Sequence, residues 1–401
     1  MTQSGGLAPA PPLLAYTRPM AYTALARRYR SRDFDEIVGQ EPIARTLRNA
    51  IDSGRVSHAY LFTGTRGVGK TSMARIFAKA LNSSGEAGPV SDEVAQAIMS
   101  GQDSDVIEID AASNRRVEET RELIANCIYR PMRGPYKVYI IDEVHMLTRE
   151  AFNTLLKTME EPPEHVKFIL CTTEADKVPP TIRSRCQRFD FRNIPTREIA
   201  RHLAEIVEKE GLKADPDLVH QVARLGDGSM RDALSLMDRL MAAGEKTLTL
   251  VLLERLLGLP ARDTVSALID AVAAGDPKAA LEATDNLLSR GNSPEQITET
   301  LASRFRDLMV IAACGPETDL VDLAGDSRAE EVERAKCFDA AGLMHLVALC
   351  ESVQRHIKSS ASPRALLDAA VVRLAMSERI ADIAAIASGH TPQPAGAPPK
   401  K

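Results

Sequence analysis

The pattern of hydrophobic and polar positions along this chain changes its character at about residue 194. Before that point, short apolar runs alternate with amphipathic segments, which predicts a parallel sheet covered by helices. One amphipathic segment, 149–161, carries its apolar residues on one face, and Pro162-Pro163 ends it. The predicted strands are 59–63, 106–110, 138–142, 168–172 and 188–191.

After residue 194 the apolar positions recur at helical spacing almost throughout. They predict a small helical domain and then a larger one, whose helices cover 265–274, 279–288, 297–313, 341–356 and 364–383. Both ends of the chain are rich in Pro, Ala and Gly, which predicts disorder. The expected division is a tail at 1–19, an α/β domain at 20–193, helical domains at 194–257 and 258–383, and a tail at 384–401.

The most specific pattern is a glycine-rich loop between the first predicted strand and a helix. Residues 64–71 read G-x-x-x-x-G-K-T, the phosphate-binding loop (P-loop) of nucleoside triphosphatases. Its glycines let backbone N–H groups face a phosphate, and the helix N-terminus adds positive potential. Lys70 would reach the β- and γ-phosphates, and the Thr71 hydroxyl would bind Mg²⁺. The residues expected to contact the nucleotide are Gly64, Thr65, Arg66, Gly67, Val68, Gly69, Lys70, Thr71 and Ser72.

A second strand carries the acidic groups that such a site needs. The apolar run at 138–142 ends in Asp142 and is followed by Glu143. Asp142 would bind Mg²⁺, and Glu143 would polarise the attacking water. The alternative is that both residues only cap the next helix. His145 has no base or metal partner in the nearby sequence, and we expect it to be structural.

Composition narrows the class of protein. The chain has 401 residues, 44% hydrophobic and 26% charged, which is ordinary for a globular protein of two or three domains. The net charge of −5 argues against a wholly basic nucleic-acid binder but allows a local basic surface. Six cysteines without a CxxC pair predict reduced thiols in the cytoplasm. No apolar run approaches the roughly 18 residues of a membrane helix, so no membrane partner is expected.

Further motifs, in one order along the chain, resemble the AAA+ ATPases and, within them, the clamp loader ATPases. The family most similar is that of the bacterial DNA polymerase III gamma/tau subunits. The resemblance implies a RecA-like AAA+ P-loop domain, a small helical lid and an all-α collar that assembles the oligomer. The matching segments are LARRYR at 25–30, IVGQ at 37–40, HAYLF at 58–62, EIDAAS at 108–113, DEVHML at 142–147, LLKTMEEPP at 155–163, SRC at 184–186 and GSMRDALS at 228–235.

The resemblance also implies roles for single residues. Arg185 matches the family's arginine finger, which would enter the ATP site of the neighbouring subunit. Arg231 matches sensor 2 in the lid and would touch the γ-phosphate, whereas Thr173 matches sensor 1 and would orient water or phosphate. Val38 and Tyr29 match the region around the adenine, although simple core packing explains them equally well.

The resemblance implies the partners as well. Arg115 and Arg116 open a predicted helix at 117–127 that would follow duplex phosphates without reading sequence. The implied partners are other clamp loader subunits (delta, delta-prime and further copies of gamma/tau), the sliding clamp and primer–template DNA. The implied activity is that of an ATP-driven motor that opens the clamp and loads it on primed DNA.

One segment departs from the family pattern. The gamma/tau family usually has a zinc module with four cysteines between the P-loop helix and the next strand. Here residues 82–105 contain neither Cys nor His, and Val94, Ala97, Ile98 and Met99 suit a short helix instead. The expected cofactors are therefore ATP and Mg²⁺, without zinc.

Two other classes of function remain open at this point. One is a clamp loader scaffold that does not hydrolyse ATP, like the delta-prime subunit, which keeps the arginine finger but typically has a degraded P-loop. The other is a different AAA+ machine, such as a branch-migration helicase or a chaperone. The intact Lys70-Thr71 and Asp142-Glu143 pairs argue against the scaffold, and Ser184-Arg185-Cys186 argues against the other machines.

Overall fold

The computed structural model describes residues 23–83, 90–113, 126–318, 320–321, 323 and 325–377, without the side chains of 325 and 326. The two predicted tails lie outside the described residues, as do Arg115, Arg116 and residues 117–125 of the predicted DNA-facing helix. Among the described helices, none combines the length and apolar character that crossing a bilayer requires.

A five-stranded parallel sheet forms the first domain. The strands lie in the order β2-β3-β4-β1-β5. Each predicted strand is present, and its ends agree with the prediction within two residues. The strands are β1 (Ala59–Thr63), β2 (Val106–Asp110), β3 (Lys137–Asp142), β4 (Val166–Thr172) and β5 (Gln187–Asp190).

Helices cover both faces of this sheet, as the alternating pattern predicts. Tyr60 and Phe62 of β1 pack on one face against Phe77, whereas Tyr139 of β3 and Phe168 of β4 stack on the other face. The expected short helix in place of a zinc module is present as α4. The helices are α1 (Leu25–Arg28), α2 (Glu41–Asp52), α3 (Lys70–Asn82), α4 (Asp92–Ser100), α5 (Arg149–Glu160) and α6 (Pro180–Arg183).

A small helical domain follows. Its core also contains Leu25, which lies near the start of the described chain and is completely buried there. The two-residue strands β6 (Lys213–Ala214) and β7 (Thr247–Leu248) pair in parallel, a feature too short to give a periodic pattern. The helices of this domain are α7 (Thr196–Lys209), α8 (Pro216–Leu225), α9 (Met230–Met241) and α10 (Leu250–Leu257).

The third domain is all helical, and its core is separate from the others. The pattern misses one of its helices, α14, because the buried polar residues on that helix include Ser327 and Glu331 rather than an apolar stripe. Its helices are α11 (Arg262–Ala273), α12 (Pro277–Ser289), α13 (Pro294–Cys314), α14 (Gly325–Ala335), α15 (Ala340–Ile357) and α16 (Pro363–Ala375).

Candidate active site

The glycine-rich loop joins β1 to α3 as expected. Gly69 has φ +100° and stands directly before the first helical residue, Lys70, so that a side chain at position 69 would strain the backbone. Gly67 is required for a different reason. A Cβ at position 67 would lie 1.9 Å from Oγ of Ser229, the residue that caps α9. The helical domain therefore sits directly on the loop, in the position of a lid.

The lysine of the loop is buried and folded back on the loop itself. Lys70 Nζ donates to the backbone carbonyls of Gly64 and Thr65, both at 2.8 Å. Burial lowers the pKa of Lys70, because desolvation disfavours the ammonium, while Asp142 and Glu143 partly oppose this effect. An incoming anion would favour the charged ammonium for the same electrostatic reason.

Two hard oxygen donors meet beside the loop. Thr71 Oγ1 donates to Asp142 Oδ2 at 2.6 Å, which joins the start of α3 to the end of β3. Among the described residues, no group of three or more His, Cys, Asp or Glu forms a metal site. The Thr71–Asp142 pair nevertheless fits Mg²⁺, which typically takes one or two protein oxygens and completes its shell with phosphate and water.

Glu143 adopts an uncommon backbone conformation. Its φ is +47°, in the left-handed region where non-glycine residues are rare and often strained. Its carboxylate accepts hydrogen bonds from Thr173, at 3.0 Å from Oγ1 and 3.3 Å from the backbone nitrogen. The Glu143 side chain forms no capping hydrogen bond to the 3₁₀ turn Val144–Met146 that follows. The helix-cap alternative is therefore wrong for Glu143.

A cavity of about 500 Å³ lies between the loop and the lid. It brings together the part of the loop from Arg66 to Ser72 and the acidic pair Asp142 and Glu143. Tyr29 and Val38 line the same cavity and pack against the core of the lid. The Tyr29 hydroxyl also donates a hydrogen bond to Glu210, the residue that follows α7. Core packing and a cavity wall are thus combined in these two residues, rather than being alternatives.

The lid contributes Arg231, the second residue of α9. Its side chain lines the cavity, and its Cβ lies 3.2 Å from the position that a Cβ on Gly67 would occupy. Within the described part of the chain, its guanidinium has no carboxylate partner. The cation therefore faces the cavity next to the P-loop.

Arg185 lies elsewhere. Its guanidinium donates to Glu160 Oε1 at 2.7 Å and to the carbonyl oxygen of Thr181 at 2.8 Å, on a partly exposed surface. It does not line the cavity of its own chain. The neighbouring Cys186 is partly buried, and this burial raises the pKa of its thiol to about 12.

The sequence pattern gave no role to Arg30, which the structure places in the cavity. Burial, and next the nearby Arg75, lower the pKa of Arg30. Arg75 is paired with both oxygens of Glu108, at 2.6 and 2.7 Å, whereas no described residue pairs with Arg30. The available signal was that a charged residue, Arg30, ends the matching segment 25–30, which begins with the buried Leu25.

The fold and the cavity together define a class of protein. A parallel sheet with a P-loop after β1, acidic residues at the end of β3, and a helical lid resting on the loop are the features of AAA+ P-loop ATPases.

Comparison with family models is more specific. A model of the DNA polymerase III delta subunit matches residues 39–195, the ATPase lid domain of the DNA polymerase III clamp loader subunit matches 198–246, and domain III of subunits gamma and tau matches 248–387.

Similar proteins carry the names of the same subunits. The tau subunit of DNA polymerase III from Bacillus subtilis is 40% identical over 361 residues, which cover 88% of this chain and 63% of that protein. The gamma subunit from Buchnera aphidicola is 44% identical over 246 residues, 60% of this chain and 67% of that protein. The chain belongs to the DNA polymerase III gamma/tau family. It spans a little under two thirds of the length of the Bacillus relative.

Among solved structures, the branch migration motor RuvB of Thermotoga maritima aligns with a TM-score of 0.44 at 17% identity, over 60% of this chain and 78% of its own.

Proposed function

We propose that this chain is the ATP-driven motor subunit of a bacterial sliding-clamp loader. It binds and hydrolyses Mg-ATP at subunit interfaces, opens the clamp and loads it on primed DNA in the cytoplasm. The observation that carries the proposal is that one cavity between the P-loop and the lid is lined by Lys70, Thr71, Asp142 and Glu143, which are suited to bind phosphate, hold Mg²⁺ and orient water. A scaffold subunit that does not hydrolyse ATP has no need of Glu143 and the Thr71–Asp142 pair together.

Each side chain at the cavity has a role in ATP binding or hydrolysis that matches its chemistry. Lys70 and the loop amides bind the β- and γ-phosphates, while Tyr29 and Val38 enclose the base. Thr71 and Asp142 would hold Mg²⁺, which neutralises phosphate charge when bound. Glu143 orients the attacking water and accepts its proton, and Thr173 holds the Glu143 carboxylate in place. Arg231 links the lid to the γ-phosphate, so that the position of the lid depends on ATP.

Arg185 acts on the neighbouring subunit. Its place outside its own cavity, on a surface shared with Glu160, supports a role in trans. A guanidinium delivered to the neighbour's γ-phosphate would stabilise the charge that develops during transfer. The third domain forms the collar that holds the subunits together and brings each Arg185 to the next site.

An exposed apolar cluster supports a protein partner on the α/β domain. Ile128, Tyr129 and Met132 are 77, 66 and 80% exposed, although they lie within five positions of one another. Contiguous exposed apolar groups mark interaction surfaces. We propose that the sliding clamp binds this cluster, which follows the segment that contains Arg115 and Arg116. Those two arginines would contact the DNA backbone, and further copies of this chain with delta and delta-prime complete the assembly.

The test is steady-state ATP hydrolysis by this chain, reconstituted with delta and delta-prime subunits, with and without clamp and primed DNA. Strong stimulation by clamp plus DNA, lost in Lys70→Ala, supports the motor function. Arg185→Ala should lower turnover in the assembled complex by about 10³–10⁵-fold while ATP binding by the isolated chain is unchanged. Arg188→Ala is the matched control, because Arg188 pairs on the surface with Asp190.

Other outcomes would point to the other classes. Turnover that ignores the clamp favours a different AAA+ machine, and an absence of nucleotide binding favours a scaffold. The clamp surface is tested separately by Ile128→Asp with Met132→Asp, which should abolish stimulation by the clamp. Val251→Asp is the control, because Val251 is an exposed apolar residue on the lid. Retained stimulation in the double variant would contradict the proposed clamp surface.

A further inference from the structure

His145 has partners that its place in the sequence does not suggest. Its side chain is only 6% exposed. Nδ1 lies 3.0 Å from Thr172 Oγ1 and 3.4 Å from Glu143 Oε2, while Nε2 lies 3.2 Å from Glu174 Oε1. The ring therefore stands between the carboxylate that faces the ATP cavity and a second carboxylate beyond the end of β4.

The second carboxylate belongs to the segment that leads to Arg185. Glu174 pairs with Lys177, at 2.8 Å between Nζ and Oε2, across the 3₁₀ turn Ala175–Lys177. Asp176, the middle residue of the same turn, lies 3.8 Å from Arg183 at the end of α6, measured from Oδ1 to Nη1. Arg185 follows two positions later, so the turn that begins directly after Glu174 is joined to the base of the finger by the chain itself and by the Asp176–Arg183 ion pair.

An imidazole suits a link of this kind because it is planar and stiff. Its two ring nitrogens lie on different edges of the ring, so that it contacts two groups at once without a flexible chain between them. If Glu143 changes its orientation when nucleotide enters the cavity, the ring must turn or Glu174 must follow. The backbone of Glu143, with φ +47°, lies in the left-handed region, and strain of this kind is found at active sites and switch regions.

We propose that His145 is a positioning residue with two effects. It orients Glu143 for hydrolysis in the subunit's own site, and it couples that site to the segment 174–185, which presents Arg185 to the neighbour. The inference rests on the proposed function, since it assumes that the cavity binds ATP and that Arg185 acts in trans. It adds a route by which the nucleotide bound to one subunit changes how that subunit presents Arg185 to the site of its neighbour.

The first effect is tested by kinetics in the reconstituted complex with clamp and primed DNA. His145→Ala should lower kcat by about 10–100-fold, the range of a misplaced catalytic group, while KM for ATP and ATP binding by the isolated chain stay within about twofold. His145→Asn should restore most of kcat, because its amide can replace Nδ1 next to Glu143. A purely structural histidine would instead lower thermal stability and ATP binding together.

His165→Asn is the matched control. It replaces the same residue type just before the opposite end of β4, where Nε2 lies 3.2 Å from the Cys127 carbonyl, and should leave kcat unchanged. A kcat for His145→Ala equal to that of the wild type would overturn the positioning role. If His145→Ala does not fold, an unchanged kcat in His145→Leu, which fills the site without a hydrogen-bonding atom, would overturn it equally.

The second effect is read by hydrogen–deuterium exchange of the full chain, with and without a non-hydrolysable ATP analogue and Mg²⁺. In the wild type, the analogue should change exchange both in the P-loop and in peptides covering 174–185. In His145→Asn the P-loop response should remain and the 174–185 response should be lost, because Asn cannot reach Glu174. A retained response at 174–185 in the variant would overturn the coupling. An unresponsive P-loop in the wild type would instead refute the proposed nucleotide site itself.

Discussion

Single charged groups decide what the cavity can bind. Lys70, Arg231 and Arg30 all line it, and among the described lining residues the only carboxylates that oppose them are those of Asp142 and Glu143. A partly buried guanidinium without a carboxylate partner is costly until an anion arrives, because desolvation disfavours its charge. Arg30 is therefore placed to bind an anionic ligand, although it lies 40 positions before Lys70 in the sequence.

Replacing Arg30 tests this argument. Arg30→Ala should weaken Mg-ATP binding by about ten- to a hundredfold, corresponding to roughly 1.5–3 kcal/mol for a hydrogen bond to a charged group. Isothermal titration of the isolated chain measures the effect. Arg45→Ala, an exposed position on α2, is the control and should bind like the wild type. Equal affinity in the two variants would mean that Arg30 does not contact the nucleotide.

At the scale of the element, helix α14 shows how a helix is held without an apolar stripe. Its Glu331 is 1% exposed and lies between Arg304 of α13 and Arg334 of its own helix. Arg334 also pairs with Asp270 of α11, at 2.7 Å between Nε and Oδ1. A buried carboxylate with two guanidinium partners thus fastens α14 to α13, and a hydrophobic pattern cannot reveal such an attachment.

Removing the carboxylate of Glu331 should strongly destabilise the third domain. Glu331→Ala is expected to lower the free energy of unfolding of the third domain by about 3–5 kcal/mol, because Arg304 is left buried without its partner. Thermal unfolding of the full chain, followed by calorimetry, measures the shift of the transition. Glu333→Ala, which removes a surface pair with Lys336, should shift it by less than about 1 kcal/mol. Similar transitions in both variants would refute the anchoring role of Glu331.

At the scale of the whole molecule, three domains, whose described residues form four buried clusters, are joined by a few specific contacts. The N-terminal helix α1 crosses to the lid, where Leu25 is buried in the lid core. The lid in turn meets the third domain through Arg224, which pairs with Asp307 at 3.0 Å and donates to Ser303 at 2.6 Å. The cavity between the P-loop and the lid lies at the first of these junctions, so a nucleotide bound there, as we propose, would change how the lid sits on the sheet.

The cysteines report on all of this packing at once. Cys314 and Cys337 are exposed, whereas Cys171 of the sheet and Cys350 of the third domain are buried, and burial raises the pKa of both thiols. A thiol reagent at neutral pH should therefore modify the first two rapidly and the last two only after unfolding. Mass spectrometry of the labelled, digested chain identifies the sites. Rapid labelling of Cys350 in the native protein would mean that the core of the third domain is open.

The sequence by itself determined the five strands of the main sheet, the helical character of the second and third domains, and the P-loop, because each depends on residues that are neighbours along the chain. Periodicity marks a buried strand or an amphipathic helix, and G-x-x-x-x-G-K-T needs only its own backbone to form a phosphate cradle. For the same reason the shortest strands, β6 and β7, and the polar helix α14 escaped prediction, since neither carries a periodic apolar signal.

Only the tertiary structure decided which distant groups meet. Thr173 reaches Glu143 because β3 and β4 are adjacent in the sheet, and His145 reaches Glu174 across the same junction. Arg30 enters the cavity because Leu25 anchors its segment in the lid. Such contacts depend on the relative placement of elements that are far apart in sequence, and no local pattern encodes that placement.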